Sequence, residues 1–287
     1  MLAIAFGILA SLCFAAASLF AQHGLHMQPT PWGAWVTLVA NTVFLLAVHC
    51  FFDPSASIFT LENLTFVAVG LFVPGMTRVL TFRGIRTMGS AITSTIVNTT
   101  PMFSTALAIL ILGERPGPLV LFGVALIVSG LVTISWEGPG RSWKRTEIVY
   151  PFLAALLFAM KDVTVRWGLR GSASPVLAAG IAALTSTIEI FLVLRYLQQE
   201  KFSLPPAGVV HWFVSSGLFT GGSFLFMFLG LSMERVSIIG PLVNSYAVFV
   251  LLLTPIMARQ IEKVTARKVA GAVFVVAGIF LISVGRD

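Results

Sequence analysis

The chain has 287 residues, of which 57% are hydrophobic types and only 10% are charged. A soluble domain carries roughly 25% charged residues, so a water-soluble fold of this size would lack the polar surface to cover itself; the bilayer is the solvent that suits this balance. The net charge is +7, but the basic residues stand in short clusters between apolar runs with no basic-aromatic strip, which argues for membrane loops and against a nucleic-acid partner.

A spanning helix needs about 20 mostly apolar residues. Ten such runs follow one another, at about 2–25, 31–52, 64–86, 89–112, 117–136, 148–170, 174–197, 207–232, 236–258 and 266–285. The first run lacks the basic start and short apolar core of a signal peptide, since no Lys or Arg precedes Arg78, and it is read as a retained helix. Turn or charge signals separate the runs, among them Gln28-Pro29-Thr30-Pro31, Asp53-Pro54-Ser55, Gly113-Glu114-Arg115-Pro116 and Leu204-Pro205-Pro206. Alternation at period two is missing, so spanning strands are not expected. Cys13 and Cys50 lie inside apolar runs and read as small hydrophobes. His23, His26, His49 and His211 fall near helix ends without metal-ligand spacing, so neither a metal nor another cofactor is expected.

The longest polar stretch, Glu137 to Glu147, nearly halves the chain, which invites aligning one half on the other. In one register Phe14 meets Phe158, Gly24 meets Gly168 and Pro31 meets Pro175. Two residues further on, Gly75 meets Gly221, Thr77 meets Ser223, Gly84 meets Gly230 and Asn98 meets Asn244. Later still, Glu114 meets Glu262, Gly123 meets Gly271 and Gly130 meets Gly278. The expected organisation is a first repeat at 1–136, a linker at 137–147 and a second repeat at 148–287. Five is odd, so the second half enters the membrane from the opposite face. The fold class is therefore an all-α membrane protein of ten transmembrane helices in two inverted five-helix repeats, an architecture typical of secondary transporters.

The stretches Phe82-Arg83-Gly84-Ile85, Asn98-Thr99-Thr100-Pro101-Met102-Phe103, Leu112-Gly113-Glu114-Arg115 and Gly123 to Gly130 are similar to the EamA-type repeat of the drug/metabolite transporter superfamily. The second half echoes them with Phe228-Leu229-Gly230-Leu231, Glu262 and Gly271 to Gly278. It departs from them where Ala247 replaces Pro101 and where two extra residues precede Glu262. The resemblance covers essentially the whole chain. It implies a ten-helix basket with a cavity lined mainly by helices 1, 3, 4, 6, 8 and 9, and a transporter of amino acids, other metabolites, sugar phosphates or drugs.

An ionisable side chain at a helix centre costs about 2.5–3.5 kcal/mol on insertion scales, so such residues usually face a wet cavity or each other. Four lie deep here: Arg78, Lys161, Asp162 and Glu189. Arg78 follows Pro74-Gly75 and has no acidic residue one turn away. Its planar fork suits a carboxylate or phosphate, and a structural bridge to Asp162 or Glu189 is the competing role. Lys161 and Asp162 are adjacent and point about 100° apart, which speaks against a simple facing pair. Arg166, one turn beyond Asp162, is a plausible local partner. The resemblance puts helix 6 on the cavity wall, which would make Lys161 and Asp162 substrate contacts. Asp162, and less readily Glu189, are candidates for proton coupling. The matched Asn98 and Asn244 are expected to face the pseudo-two-fold axis. Tyr246 and Ser223 supply further hydroxyls, while Gly221 and Gly222 either unwind helix 8 or let it pack closely.

Lys and Arg in the loops favour the face opposite the chain ends by eleven to five, which by the positive-inside rule puts both ends outside. The resemblance implies both ends inside. The expected function is secondary transport, with export as one direction, of a small organic metabolite by alternating access, an amino acid or other carboxylate first and a cationic or neutral drug-like solute second; a membrane-embedded enzyme and a non-transporting membrane subunit are the competing readings of another class. Its expected partners are that solute, the lipid bilayer of the cell (inner) membrane and protons as coupling ion; the oligomeric state is open. No HExxH, GxSxG or phosphate-binding loop is present, so neither catalysis nor direct ATP drive is expected.

Overall fold

A computed structural model describes residues 1–54, 60, 63–136, 145–171, 173–257 and 265–286. Among the described residues there are only helices: α1 (Leu2–Met27), α2 (Trp32–Phe52), α3 (Asn63–Leu71), α4 (Thr77–Met88), α5 (Ser90–Val97), α6 (Thr100–Leu112) and α7 (Pro118–Ser135) in the first half. The second half holds α8 (Val149–Gly168), α9 (Pro175–Leu192), α10 (Ala207–Met233), α11 (Val236–Asn244), α12 (Tyr246–Met257) and α13 (Ala266–Val284). Nine stretches among the described residues are long and apolar enough to cross a bilayer. The third expected span is also present, as α3 and α4 joined through a wide turn at Phe72–Met76.

Three spans expected as continuous helices are broken, each for a local reason. In the third, Val73 is extended (φ −134°, ψ 124°) ahead of Pro74, because proline disfavours a helical residue before it and has no N–H to offer the preceding turn. The carbonyls this leaves without a helical donor are reached from α9: the Ser186 hydroxyl lies 3.0 Å from Gly70 O and 2.9 Å from Val73 O. The fourth and ninth spans break at matched places, α5 to α6 at Asn98–Thr99 and α11 to α12 at Ser245. Pro101 sits in the first turn of α6, where its missing N–H leaves nothing unpaired. The second half has no proline there and breaks all the same. What the two sites share is a hydroxyl that bonds a carbonyl three residues back: Thr99 to Ile96 and Thr100 to Val97, each 2.6 Å, and Ser245 to Leu242, also 2.6 Å. Such bonds compete with the helical ladder.

The halves are inverted, as a glycine contact between α7 and α13 makes plain. A Cβ on Gly123 would lie 2.8 Å from Gly278 O, and one on Gly130 would lie 2.5 Å from Gly271 O. Gly123 thus faces the mate of Gly130 and Gly130 faces the mate of Gly123, so the two helices run antiparallel around a two-fold centre. In lipid no hydrophobic drive joins helices, and close backbone approach through small residues takes its place. α2 and α9 also meet, through the 2.9 Å bond between Thr42 and Thr187. Asn98 and Asn244, matched in the repeat, make no hydrogen bond to each other. Asn98 donates to Ser135 at the end of α7 (2.5 Å), whereas Asn244 folds back on Gly240 O of its own helix (2.8 Å).

Candidate functional site

The deepest charged group described is Asp162 of α8, which is 3% exposed. Lys161 Nζ lies 2.8 Å from Asp162 Oδ1, and the Ser104 hydroxyl of α6 donates to Oδ2 at 2.9 Å. The adjacent residues therefore do form an ion pair, against the expectation from their angular separation. The four-carbon stem of lysine is long enough to bend its head back across that angle. The ammonium also lies 3.5 Å from Met227 Sδ of α10. A fourth element closes the site: Gly240 of α11 presents bare backbone, and a Cβ there would lie 3.6 Å from Asp162 Oδ2 and 3.5 Å from Ser104 Cβ. Arg166 is not the partner of Asp162. Its guanidinium reaches the end of α10, donating to Leu231 O (2.6 Å) and Ser232 O (2.9 Å).

Around this pair the other expected residues divide. Tyr246, just past the break in the ninth span, packs edge-on against Phe14 of α1, with ring centroids 4.8 Å apart at 83°. Next to it Ser245 meets Ser11 of α1 at 3.3 Å. Ser223 is buried in α10, a continuous helix, so Gly221 and Gly222 serve packing and not unwinding. A Cβ on Gly221 would lie 2.5 Å from the Phe44 ring of α2, and one on Gly222 3.4 Å from Cys13 Sγ. Glu189 is not brought to Asp162. It lines an apolar groove of about 540 Å³ between α3 and α9, together with Val67, Leu71, Ile188 and Tyr196. Arg78 is the second residue of α4, directly past the break in the third span; its side chain lies outside the described residues.

A profile of the EamA-like transporter family matches residues 1–136 and 145–284. The chain belongs to the EamA-like transporter family. It is thus a multi-pass membrane transporter of the drug/metabolite transporter superfamily, with a small-molecule substrate and the bilayer as its surroundings. A crystal structure of a protein 17% identical to it superimposes with a TM-score of 0.81 over 99% of this chain and 97% of the other, which shows the shared fold alone. No curated protein sequence matches it.

For an EamA-like transporter the arrangement has a definite chemistry. A carboxylate and an ammonium neutralise each other in low dielectric, held by helices from both halves: α6 from the first, and α8, α10 and α11 from the second. Two of these, α6 and α11, are half-helices whose inner ends lie at the breaks. Ser104, Ser11 and Gly240 are absent from the sequence reading, and Phe14 enters it only as the match of Phe158. Nothing in the chain distinguishes Ser104 from the many other hydroxyls, and its counterpart in the second repeat is Val250. Asn41 of α2 was missed as well. It is fully buried against α10, and neither side-chain polar atom has a hydrogen-bond partner.

Proposed function

We propose that this protein carries amino acids across the cell (inner) membrane by alternating access, with Lys161 and Asp162 as the substrate's charge partners. The observation that carries this reading is the buried Lys161–Asp162 pair, closed at 2.8 Å among helices of both halves. Burying an uncompensated charge is costly, so whatever opens this pair must satisfy both ends. A zwitterion does so. Its carboxylate takes the place of Asp162 beside Lys161, and its ammonium takes the place of Lys161 beside Asp162. A simple carboxylate satisfies Lys161 alone and leaves Asp162 charged, unless a proton enters with it. The same site therefore accepts an amino acid neutrally and a plain carboxylate with one proton on Asp162. Ser104, whose hydroxyl both donates and accepts, stays bonded to Asp162 in either protonation state. Arg78 is proposed as a second anchor for the anionic end, Asn98, Asn244 and Ser223 as the polar and Tyr246 as the aromatic part of the surrounding wall, and Glu189 as outside the path.

The test is flux in proteoliposomes across a panel of neutral amino acids, plain carboxylates and cationic drugs, with a pH-sensitive dye inside. Amino-acid flux without acidification, lost in Asp162→Asn, is expected. Flux of cationic drugs alone, or amino-acid flux that survives in Asp162→Asn, would sink the proposal.

A further inference from the structure

Ten spans put both chain ends on one face of the bundle, and on that face several helix ends are tied together. Glu114, just past the end of α6, is buried at 6% exposure. Its carboxylate accepts from the backbone N–H of Val236 (2.8 Å), from that of Ser237 (3.0 Å) and from the Ser237 hydroxyl (2.7 Å). These are the first amides of α11, where unsatisfied N–H groups and the helix dipole favour an anion. The neighbouring arginines do the converse at helix C-termini. Arg170 donates to Leu112 O at the end of α6 (3.1 Å), and Arg166 holds the end of α10. Arg286 in turn pairs with Glu234 at 2.6 Å.

These ties differ in what they join. Arg166 to α10 and Arg286 to Glu234 stay within the second repeat. Glu114 to α11 and Arg170 to Leu112 cross from one repeat to the other, so they must break if the repeats part on this face. The helix that Glu114 grips is also the one that reaches the charge pair. α11 has nine residues, about 13 Å of rise, with Val236 at its gripped end and Gly240 against Asp162. It ends at the Ser245 break, which gives it a pivot.

We propose that Glu114 is a latch that holds the transport path shut on the face of the chain ends, and that α11 is the lever linking it to the substrate site. A solute entering between Lys161 and Asp162 pushes on Gly240, α11 turns about Ser245, and the Val236 and Ser237 amides leave Glu114. Glu114 acts through α11 and touches no substrate, so it is a positioning residue. The latch rests on the alternating-access reading given above.

The experiment uses the full chain in nanodiscs, with Cys13 and Cys50 replaced by serine and one reporter cysteine introduced at a time. Ala108→Cys reports on the latch face, because Ala108 is fully buried in the half of α6 nearest that face. Ala179→Cys, fully buried in α9, reports on general loosening. Labelling by a water-soluble maleimide is timed. Glu114→Gln is expected to raise the rate at position 108 by about tenfold, the scale of a lost charge-assisted bond, and to leave position 179 unchanged. Ser237→Ala, which removes one of three bonds, gives a smaller rise at 108. An unchanged rate at 108 overturns the latch, and so does an equal rise at both positions, which would mark Glu114 as a fold support only. If the proteoliposome assay gives no amino-acid flux in any variant or in the wild type while position 108 still responds, the amino-acid reading fails and the latch stands.

Discussion

Lys161→Met removes the ammonium 2.8 Å from Asp162 Oδ1 and leaves a carboxylate whose side chain is only 4% exposed. Losing one partner of a buried pair costs about 3–5 kcal/mol, because the other charge stays buried without compensation. Asp162→Asn is milder, since its amide oxygen still accepts from Ser104 and the Lys161 side chain is 12% exposed. The double variant Lys161→Met/Asp162→Asn carries no charge at all, and replacing a buried pair by neutral groups of similar volume is often neutral for stability. The expected order of stability in thermal unfolding is therefore wild type and double variant together, then Asp162→Asn, then Lys161→Met. Amino-acid flux in proteoliposomes is expected to be lost in all three. The double variant decides the matter, because it is folded but has no charges to offer a zwitterion. If it transported at the wild-type rate, the pair would be a structural bridge and the proposed site would be wrong. If Lys161→Met were as stable as the wild type, the argument from uncompensated burial would fail first.

Gly130→Ala drives a methyl group to 2.5 Å from the Gly271 carbonyl oxygen, so unfolding in detergent should shift by about 1–3 kcal/mol, the range for overpacking. Gly117→Ala, whose Cβ would meet nothing nearer than Gly285 O at 3.7 Å, is the control and should be silent; equal behaviour of the two variants would contradict the glycine-contact account of the α7–α13 crossing. Ser186→Ala strips the hydroxyl from the Gly70 and Val73 carbonyls and should destabilise by about 1–3 kcal/mol, the penalty for a buried polar group left without its partner. An unshifted melting curve would mean that those carbonyls find another donor. Tyr246→Phe keeps the edge-on contact with Phe14, so flux should persist, while Tyr246→Ala gives up the ring pair, about 0.5–1.5 kcal/mol beyond its buried area, and should slow flux. Equal flux in both variants would remove Tyr246 from the wall.

Much of the fold was legible in the chain because the bilayer leaves few choices. An apolar run of about 20 residues must be a helix there, since every backbone group has to be paired internally. An odd number of such helices per repeat inverts the second copy. The glycines of α7 and α13 were visible as matched pairs, but that they meet one another in an antiparallel crossing shows only in the packing. The breaks in the fourth and ninth spans were less legible. Pro101 stands beside one of them, but the determinant common to both is a local hydroxyl bond, and Ser and Thr occur in many helices that do not break.

The site itself was half legible. Asp162 and Lys161 stood out because charge in hydrocarbon is rare, and that alone selects them as candidates. Their partners could not be read off, since a hydrogen bond from Ser104 or the bare backbone of Gly240 depends on how α6 and α11 cross α8. The same holds for Glu114, which the sequence marks only by its turn and by its match to Glu262, and which grips a helix 122 residues away. Composition and periodicity determined that this chain crosses the membrane in two inverted sets of helices. Which side chains meet between those sets was decided only by tertiary packing, because the contacts join residues far apart in the chain whose approach depends on helix breaks, glycine crossings and lysine reach.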